Sequence, residues 1–359
     1  MADALKLSVV IATYGRDDVL AETLRRLAEQ DLSPTKFEVV VADDGSPDRT
    51  PEVMAEAAKT VPYQLTYVRH TNTGIGYTQN RGLERARAPI VLLIADDIWL
   101  TRDALSSHLA AHEANPSESV AVLGRVEQSP DLTETVFLKT WDPFRFSQFA
   151  GVPEVPYYRF WACNISVKRD FIKRHGGFRE TLGRAGAAAH EDSEVGYRLH
   201  KHGLRILYVP AALGFHHHVV TLQQACDRAY SRGLNFGEFY ACAPEVEIPV
   251  AYRVSPIRHF TEHWRTFTSE RRKHLQPEDR NPLMLIARQV GRAIVFNRLT
   301  VPNFWRPLFD RAETTPWLAR LMHKQMYRGA INYYFYRGCI DADSKFDKPP
   351  VVSPVGALR

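Results

Sequence analysis

The apolar residues of the first hundred positions follow two alternating patterns. Near-continuous apolar runs rich in β-branched residues predict strands that are buried on both faces. These predicted strands are residues 7–13, 37–43, 64–70 and 88–95. Between them, spacings such as Leu20, Leu24 and Leu27 predict amphipathic helices. Strand and helix alternate as in βαβ units, so the sequence predicts an α/β fold on a parallel sheet.

Two further helices complete this alternation. One begins in the segment 46–59, where Pro51 stands in the first turn, and the other spans residues 76–87. A later helix is predicted to run from Glu191 to His202. No GxxxxGK[ST] loop and no GxGxxG follow the first strand, which argues against a P-loop or a dinucleotide-binding fold.

Polar residues stand where three of the predicted strands end. They are Thr13 and Tyr14, then Asp43 and Asp44, then Asp96 and Asp97. In open α/β sheets, ligands bind at the carboxyl ends of the strands. Adjacent carboxylates repel one another unless a cation offsets their charge, and Mg²⁺ and Mn²⁺ prefer oxygen ligands. The pattern therefore predicts a divalent metal, although a single Asp after a strand equally suits a turn, as Asp43 and Asp44 do before Gly45.

Composition and charge refine this picture. The chain has 359 residues, 45% hydrophobic and 24% charged, as is typical of soluble globular proteins. Its four cysteines are scattered without a CxxC pair, and its first apolar run is too short for a signal core or a membrane span, so a cytoplasmic location is expected. No HExxH spacing supports a zinc hydrolase.

The net charge of +5 is unevenly distributed along the chain. Residues 251–359 contain 19 Lys and Arg against 9 Asp and Glu, so residues 1–250 carry a net negative charge. Two basic segments rich in large apolar residues, 281–299 and 317–336, are expected to be helical and too interrupted to span a bilayer. They could contact an anionic membrane at its inner face, form a homodimer, or pack on the rest of the chain. No nucleic-acid partner is predicted.

Seven segments form an ordered series along the first 235 residues. They are SVVIATYGR (8–16), EVVVADDGSPDRT (38–50), NTGIGYTQNRG (72–82), VLLIADDIWL (91–100), GGFRE (176–180), HEDSEVGYRLHKHG (190–203) and YVPAALGFHHH (208–218). In this order the chain resembles the family-2 glycosyltransferases, inverting enzymes of the GT-A fold that use nucleotide-diphosphosugars. The resemblance implies a mostly parallel, Rossmann-like sheet flanked by helices. We expect a GT-A domain over residues 1–250 and a basic, mainly helical region over residues 251–359.

The resemblance also implies a donor site. In such enzymes the first strand end and the second carboxylate after the second strand hold the base and ribose, which assigns Thr13, Tyr14 and Asp44. Further donor-binding residues are expected at Asn72, Gly74, Asn80, Ala95 and Asp97. A carboxylate accepts a hydrogen bond from the imide N–H of uracil or thymine, so Asp44 favours a UDP- or dTDP-sugar.

The segment IADD resembles the DxD motif of the family, in which the last carboxylate binds Mn²⁺ or Mg²⁺. That carboxylate is Asp96, whereas Ile94 replaces the first one. The resemblance favours His216 as a further metal ligand, with His218 as the alternative. Alternate side chains of an extended segment share a face, so His216 and His218 can lie together. A histidine run without function is the remaining alternative.

The HED segment resembles the ED motif, in which the Asp is the catalytic base. This implies that Asp192 takes the proton from the acceptor hydroxyl, unless Glu191 and Asp192 only cap their helix. Trp161, Asn164 and Glu191 are expected on the acceptor side, where Trp161 could stack on a sugar or belong to the core. The acceptor is a saccharide, a lipid-linked glycan or a small natural product.

Three departures from the family pattern keep other functions open. Besides Ile94, Gly15 stands where the family often has Asn, and Gln79 stands where it often has Arg. These departures would suit a GT-A scaffold that binds nucleotide without turnover. A sugar nucleotidyltransferase is the other alternative, although the first loop lacks a Gly-rich, Arg-containing phosphate loop and the HED segment would have no role.

Overall fold

The computed structural model describes residues 4–141, 146–182, 190–242, 291 and 294–345. Within these ranges the chain forms two compact units, of which the first extends to Val220 and the second begins at Thr221. The predicted boundary near residue 250 lies outside the described residues. Most of the basic segment 281–299 lies outside them as well, so contact of this region with a membrane or a second copy stays a prediction.

The first unit is built on a mixed sheet of nine strands among the described residues. The strands are β1 (Leu7–Thr13), β2 (Phe37–Asp43), β3 (Gln64–Arg69), β4 (Ile90–Ala95), β5 (Ile98–Leu100), β6 (Val120–Gln128), β7 (Glu154–Val155), β8 (Asn164–Lys168) and β9 (Arg205–His216). Their order across the sheet is β3-β2-β1-β4-β8-β6-β9-β5, and β7 pairs with β9.

Helices of the first unit follow the strands. They are α1 (Asp17–Leu27), α2 (Thr50–Thr60), α3 (Ile75–Arg85), α4 (Ala104–Ala114), α5 (Val136–Thr140), α6 (Arg169–Arg174) and α7 (Glu191–His200). The apolar stripe predicted for α1 is confirmed, because Leu20, Leu24 and Leu27 are all buried in the main core. The predicted α/β alternation of the first hundred residues is confirmed in the same way.

The parallel half of the sheet brings the polar strand ends to one edge. β1 lies between β2 and β4, and all three run in the same direction. Thr13, the last residue of β1, is paired with Asp43 of β2, while Ala12 is paired with Ala95 of β4. The residues that follow these ends, including Asp44 and Asp96, therefore begin at the same edge of the sheet.

An antiparallel connection joins this half to the rest of the sheet. β8 runs antiparallel to β4, with Asn164 opposite Ile94, and β6 runs antiparallel to β8. β9 is parallel to β6, and its last residue, His216, is paired with both Gln128 of β6 and Ile98 of β5. Because β5 directly follows Asp97, the end of β9 lies beside the end of β4.

The second unit is helical in its described part. Its helices are α8 (Leu222–Leu234), α9 (Phe236–Cys242), α10 (Arg306–Ala312), α11 (Pro316–Ala319) and α12 (Lys324–Lys345), with a π-helical turn at Val301–Trp305. The hydroxyl of Tyr230 on α8 donates a hydrogen bond to Asp341 on α12 at 3.0 Å. None of the helices in the described ranges is both long enough and apolar enough to cross a bilayer.

Candidate active site

Two adjacent buried carboxylates occupy the turn between β4 and β5. Asp96 and Asp97 are only 5% and 4% exposed. The Nη1 atom of Arg16 donates to Asp96 Oδ1 at 2.8 Å and to Asp97 Oδ2 at 2.6 Å. The hydroxyl of Thr13 donates to the other oxygen of Asp96, Oδ2, at 2.7 Å. One guanidinium nitrogen thus joins both carboxylates, and its positive charge offsets their repulsion.

The loop after β1 holds Arg16 in this position. Gly15 has a φ of +64°, in the left-handed region that Gly adopts at no steric cost and that Asn tolerates better than most residues. Its N–H donates to the hydroxyl of Ser46, and the N–H of Asp17 donates to Asp48. The backbone is therefore fixed on both sides of Arg16. The left-handed conformation suits Gly, and it also suits the Asn that the family resemblance led us to expect at this position.

Burial and neighbouring charges shift the pKa values of the two carboxylates in opposite directions. Burial raises the pKa of Asp96, the negative charge of Asp97 raises it further, and Arg16 and Thr13 only partly oppose them. Burial would also raise the pKa of Asp97, but hydrogen bonding and charge from His216 and Arg16 outweigh it and hold this pKa below its usual range. The pair consequently holds its negative charge most firmly on Asp97, next to His216.

His216 approaches the carboxylates from the end of β9. Its Nε2 atom lies 3.4 Å from Asp97 Oδ2, and the ring is almost fully buried. The ring of His218 is 5.9 Å from that of His216, whereas His217 stacks on Trp99 with ring centroids 3.5 Å apart. The rings of His216 and His218 thus lie close together while His217 packs elsewhere, and the His216 ring lies beside the Asp97 carboxylate.

Gln128 fixes the backbone of this histidine run. Its Nε2 atom donates to the carbonyl oxygens of His216, at 3.2 Å, and of His218, at 3.0 Å. The N–H of His217 donates to the carbonyl oxygen of Asp97 at 2.8 Å. These backbone contacts attach the end of β9 to the turn that carries the carboxylates.

The second pair of carboxylates organises the loops beyond β2 and β3. Asp44 accepts hydrogen bonds from the N–H of Thr73, at 2.7 Å, and of Gly74, at 3.0 Å. A carboxylate has about four acceptor positions, so these bonds leave capacity for a ligand donor. Asp43 is fully buried, and it accepts from Ser46 and from the hydroxyl of Tyr67. Asp43 therefore closes the turn, as the structural alternative predicted for it.

Other predicted donor residues surround this edge. Tyr14 is 50% exposed and Asn72 is exposed, whereas Ala95 is half-buried at the end of β4. The side chain of Asn80 binds the backbone of Phe178 through both its oxygen and its nitrogen, at 2.8 Å each. Asn80 thereby holds the segment that follows α6, and its direct contact with a donor stays a prediction.

Asp192 lies in the first turn of α7. Its Oδ2 atom accepts a hydrogen bond from the N–H of Ala162 at 3.1 Å. Burial raises the pKa of the neighbouring Cys163 thiol, and the negative charges of Asp192 and Asp97 raise it further. Cys163 immediately precedes β8, the strand paired with β4. Asp192 and Asp97 therefore act on the same buried thiol from two different elements.

The residues expected on the acceptor side occupy different environments. Trp161 is half-buried and packs edge-on against Phe146, with the guanidinium of Arg159 4.8 Å from its ring centre. Glu191 is half-buried as the first residue of α7. Asn164 is completely buried, where its Nδ2 donates to the carbonyl of Ala212 at 2.9 Å.

The position of Asn164 does not agree with an acceptor contact. Its Oδ1 lies 3.0 Å from the Nε2 atom of His108, which is also fully buried. The side chain therefore connects β8 to β9 and α4 inside the core. The sequence does not show which face of the sheet a polar residue at the start of a strand, such as Asn164, will occupy.

Two contributors to the site had no assigned role in the sequence: Arg16 and Gln128. Arg16 stands in the segment after the first strand, and a cation at a strand end that faces paired carboxylates is the signal that could have identified it. Gln128 lies 88 residues before its partner His216, whose carbonyl oxygen accepts from Gln128 Nε2 and whose Nδ1 atom lies 3.5 Å from Gln128 Oε1. Its sequence context contains no comparable signal.

A mixed sheet with helices around it, and with buried acidic residues at the carboxyl edge of its parallel strands, is the arrangement of the GT-A fold. Residues 8–176 match the family described as glycosyl transferase family 2. The mannosyltransferase PcManGT from Pyrobaculum calidifontis, solved with GDP-Man and Mn²⁺, has a similar fold. The TM-score is 0.56 at 19% identity, over 96% of this chain and 89% of that one.

Curated relatives are similar over part of their length. The validoxylamine A glucosyltransferase of Streptomyces hygroscopicus subsp. limoneus is 32% identical over 223 residues, which cover 55% of this chain and 48% of that protein. The poly(ribitol-phosphate) β-N-acetylglucosaminyltransferase TarS of Staphylococcus aureus (strain Mu50 / ATCC 700699) is 26% identical over 136 residues, or 38% of this chain and 24% of TarS. The chain thus matches about half or less of the length of these two relatives.

Proposed function

We propose that this chain is an inverting glycosyltransferase that moves a sugar from a nucleotide-diphosphosugar to an acceptor hydroxyl. The observation that carries the proposal is the convergence of Asp96 Oδ1 and Asp97 Oδ2 on a single cationic nitrogen at the carboxyl edge of the sheet. A diphosphate leaving group needs positive charge, and two convergent carboxylates are the means by which a protein presents a divalent cation to it.

The side chains at this edge suit Mn²⁺ or Mg²⁺. Asp96 and Asp97 offer carboxylate oxygens, and His216 Nε2 lies beside Asp97 as an imidazole ligand. No group of three His, Cys, Asp or Glu side chains within the described ranges is already arranged around one point. Such ions are commonly held by one or two carboxylates plus substrate phosphates. We therefore assign Asp96 and Asp97 as ligands, with His216 as the third.

When bound, the metal would supply positive charge to the departing diphosphate. The protein's own part is to orient the donor and to accept one proton. Asp44 would accept the imide N–H of a uracil or thymine base, which makes a UDP- or dTDP-sugar our proposed donor. Tyr14, half exposed beside Thr13, is available to contact the base or ribose.

Asp192 would take the proton from the acceptor hydroxyl as that oxygen attacks the anomeric carbon. The N–H of Ala162 holds Asp192 Oδ2, so the carboxylate has a fixed orientation at the start of α7. One base suffices when the nucleophile displaces the diphosphate in a single step, and that step inverts the anomeric centre. Because one relative is a validoxylamine A glucosyltransferase and Asp44 favours a uracil or thymine base, UDP-glucose is the first donor to test, with validoxylamine A as the first acceptor.

Replacement of Asp192 by Asn tests the proposed base. We expect nucleotide binding to remain near that of the wild type, while transfer falls about a hundredfold or more, the usual scale for loss of a general base. The measurements are calorimetric UDP binding with Mn²⁺, and release of UDP from UDP-sugars or of dTDP from dTDP-sugars in the presence of acceptors. Asp170→Asn, at an exposed position on α6, is the matched control.

Different outcomes favour different functions. Near-normal transfer by Asp192→Asn would remove this residue from the role of base. Nucleotide binding without release of UDP or dTDP from any donor would instead indicate a non-catalytic scaffold. Release of pyrophosphate from a nucleoside triphosphate and a sugar phosphate would indicate a nucleotidyltransferase.

A further inference from the structure

Arg16 occupies the position in which the two carboxylates would bind a metal. Its Nη1 atom is within 2.8 Å of Asp96 Oδ1 and within 2.6 Å of Asp97 Oδ2. These two oxygens, one from each carboxylate, converge on the same nitrogen atom. A hard divalent cation would need to approach such oxygens to about 2.1 Å. A guanidinium and a metal cannot both fill this space, because of their size and because both are positively charged.

The structure leaves the Arg16 side chain more accessible than its partners. The side chain is 28% exposed, against 6% for each carboxylate. The flanking backbone is tied down by the bonds from Gly15 N–H to Ser46 and from Asp17 N–H to Asp48. Rotation of the side chain toward solvent can therefore open the space between the carboxylates while the loop keeps its conformation.

We propose that Arg16 is a built-in counter-cation that closes the metal position until a divalent ion displaces it. This inference rests on the proposed role of Asp96 and Asp97 as metal ligands. Without the ion, Arg16 stabilises a buried carboxylate pair that would otherwise be strongly repulsive. With the ion, the carboxylates exchange one cation for another. The apparent affinity for metal is then the intrinsic affinity multiplied by the fraction of molecules in which Arg16 has moved away.

Arg16→Met tests the displacement, because Met keeps an unbranched apolar stem and removes the competing charge. Binding of Mn²⁺ alone, without nucleotide, is followed by loss of the electron paramagnetic resonance signal of the free ion. We expect Arg16→Met to bind Mn²⁺ about tenfold more tightly than the wild type, equivalent to about 1.4 kcal/mol. Arg25→Met is the matched control, because Arg25 lies on α1 and pairs with Glu22 and Glu29.

Thermal unfolding gives a second readout. Without metal, Arg16→Met should unfold at a lower temperature than the wild type, because it leaves the two buried carboxylates without their counter-cation. Mn²⁺ should restore more stability to this variant than to the wild type, since a tighter ligand stabilises the folded state more at the same concentration. If Arg16→Met does not fold, Arg16→Lys replaces it, because a more hydrated point charge should be displaced more easily.

The outcomes separate this inference from the proposed function. Equal or weaker Mn²⁺ binding by Arg16→Met, or by Arg16→Lys if that variant is used, overturns the role of Arg16. If the wild type nevertheless binds Mn²⁺ in the presence of UDP and Asp96→Asn does not, the metal role of Asp96 stands and only the inference fails. If the wild type binds no Mn²⁺ even with UDP, both the metal assignment and the inference fail.

Discussion

In this site, each buried carboxylate lies beside a group that can offset its negative charge. Asp96 and Asp97 are buried side by side, and each is satisfied by a group that lies far away in the sequence, Arg16 or His216. Such a pair costs stability because neighbouring carboxylates repel, and the pKa of Asp96 is raised by its burial and by the negative charge of Asp97. A buried acidic pair that lowers the stability of the fold is a candidate functional site, because the same negative charges can bind a cation.

Asp96→Asn should separate stability from function. Removal of one negative charge relieves the repulsion, so we expect the melting temperature to stay unchanged or to rise slightly. Metal-dependent UDP binding should weaken at least tenfold, because a neutral amide replaces a charged ligand. Differential scanning fluorimetry and calorimetry measure the two effects, with the exposed Asp103→Asn as a control. Unchanged UDP affinity would argue against Asp96 as a metal ligand.

Gly15 is required for its backbone conformation. A Cβ at this position would lie 3.9 Å from Pro47 Cδ, which is an ordinary contact, so only the positive φ opposes a side chain. We expect Gly15→Ala to lose about 1 kcal/mol of the free energy of unfolding, and Gly15→Asn to lose clearly less. Urea unfolding of the two variants measures the difference. Equal losses would mean that crowding, and not φ, limits this position.

At the level of elements, the site depends on two kinds of strand. β1, β2 and β4 are mostly apolar runs, and their pattern in the sequence was sufficient to predict the parallel half of the sheet and the edge that carries Asp44 and Asp96. β9 is twelve residues long, β6 shifts register against it between Gly124 and Arg125, and β5 and β7 have three and two residues. These features come from pairing between distant segments. Local periodicity therefore could not show that His216 would reach Asp97.

Helix α4 places two histidines in the core, and their burial makes stability depend on pH. Burial lowers the pKa of His108 to about 4 and that of His112 to about 3. In the unfolded chain both would take up protons near pH 6.5. The stability contributed by the neutral rings is therefore complete above pH 6.5, and it is lost as the pH falls from there toward 4 and below.

His112→Gln should reduce the number of protons that the chain takes up on unfolding by about one. Between pH 6 and pH 4.5, we expect the free energy of unfolding of the wild type to fall more steeply than that of the variant, by up to about 1.4 kcal/mol per pH unit. Urea unfolding at several pH values measures the two slopes. His323→Gln, at an exposed position, should leave the slope of the wild type unchanged. Equal slopes for His112→Gln and the wild type would contradict the burial of a neutral His112.

For the whole molecule, the described residues that are proposed to carry chemistry all belong to the first unit, before Val220. The family match over residues 8–176 includes the donor edge and Asn164 but ends before Asp192 and His216. The sequence could predict the fold class, because seven short segments in order constrain it. It could not show that the second unit begins at Thr221, because α8 packs with α12, about a hundred residues later.

The most direct test of the account is a crystal structure of the full chain with UDP and Mn²⁺. We predict an anomalous manganese peak within about 2.5 Å of carboxylate oxygens of Asp96 or Asp97, with the Asp192 carboxylate facing the same cavity as the bound diphosphate. A metal held by other residues, or an Asp192 side chain that faces a different cavity, would contradict the proposed glycosyltransferase site.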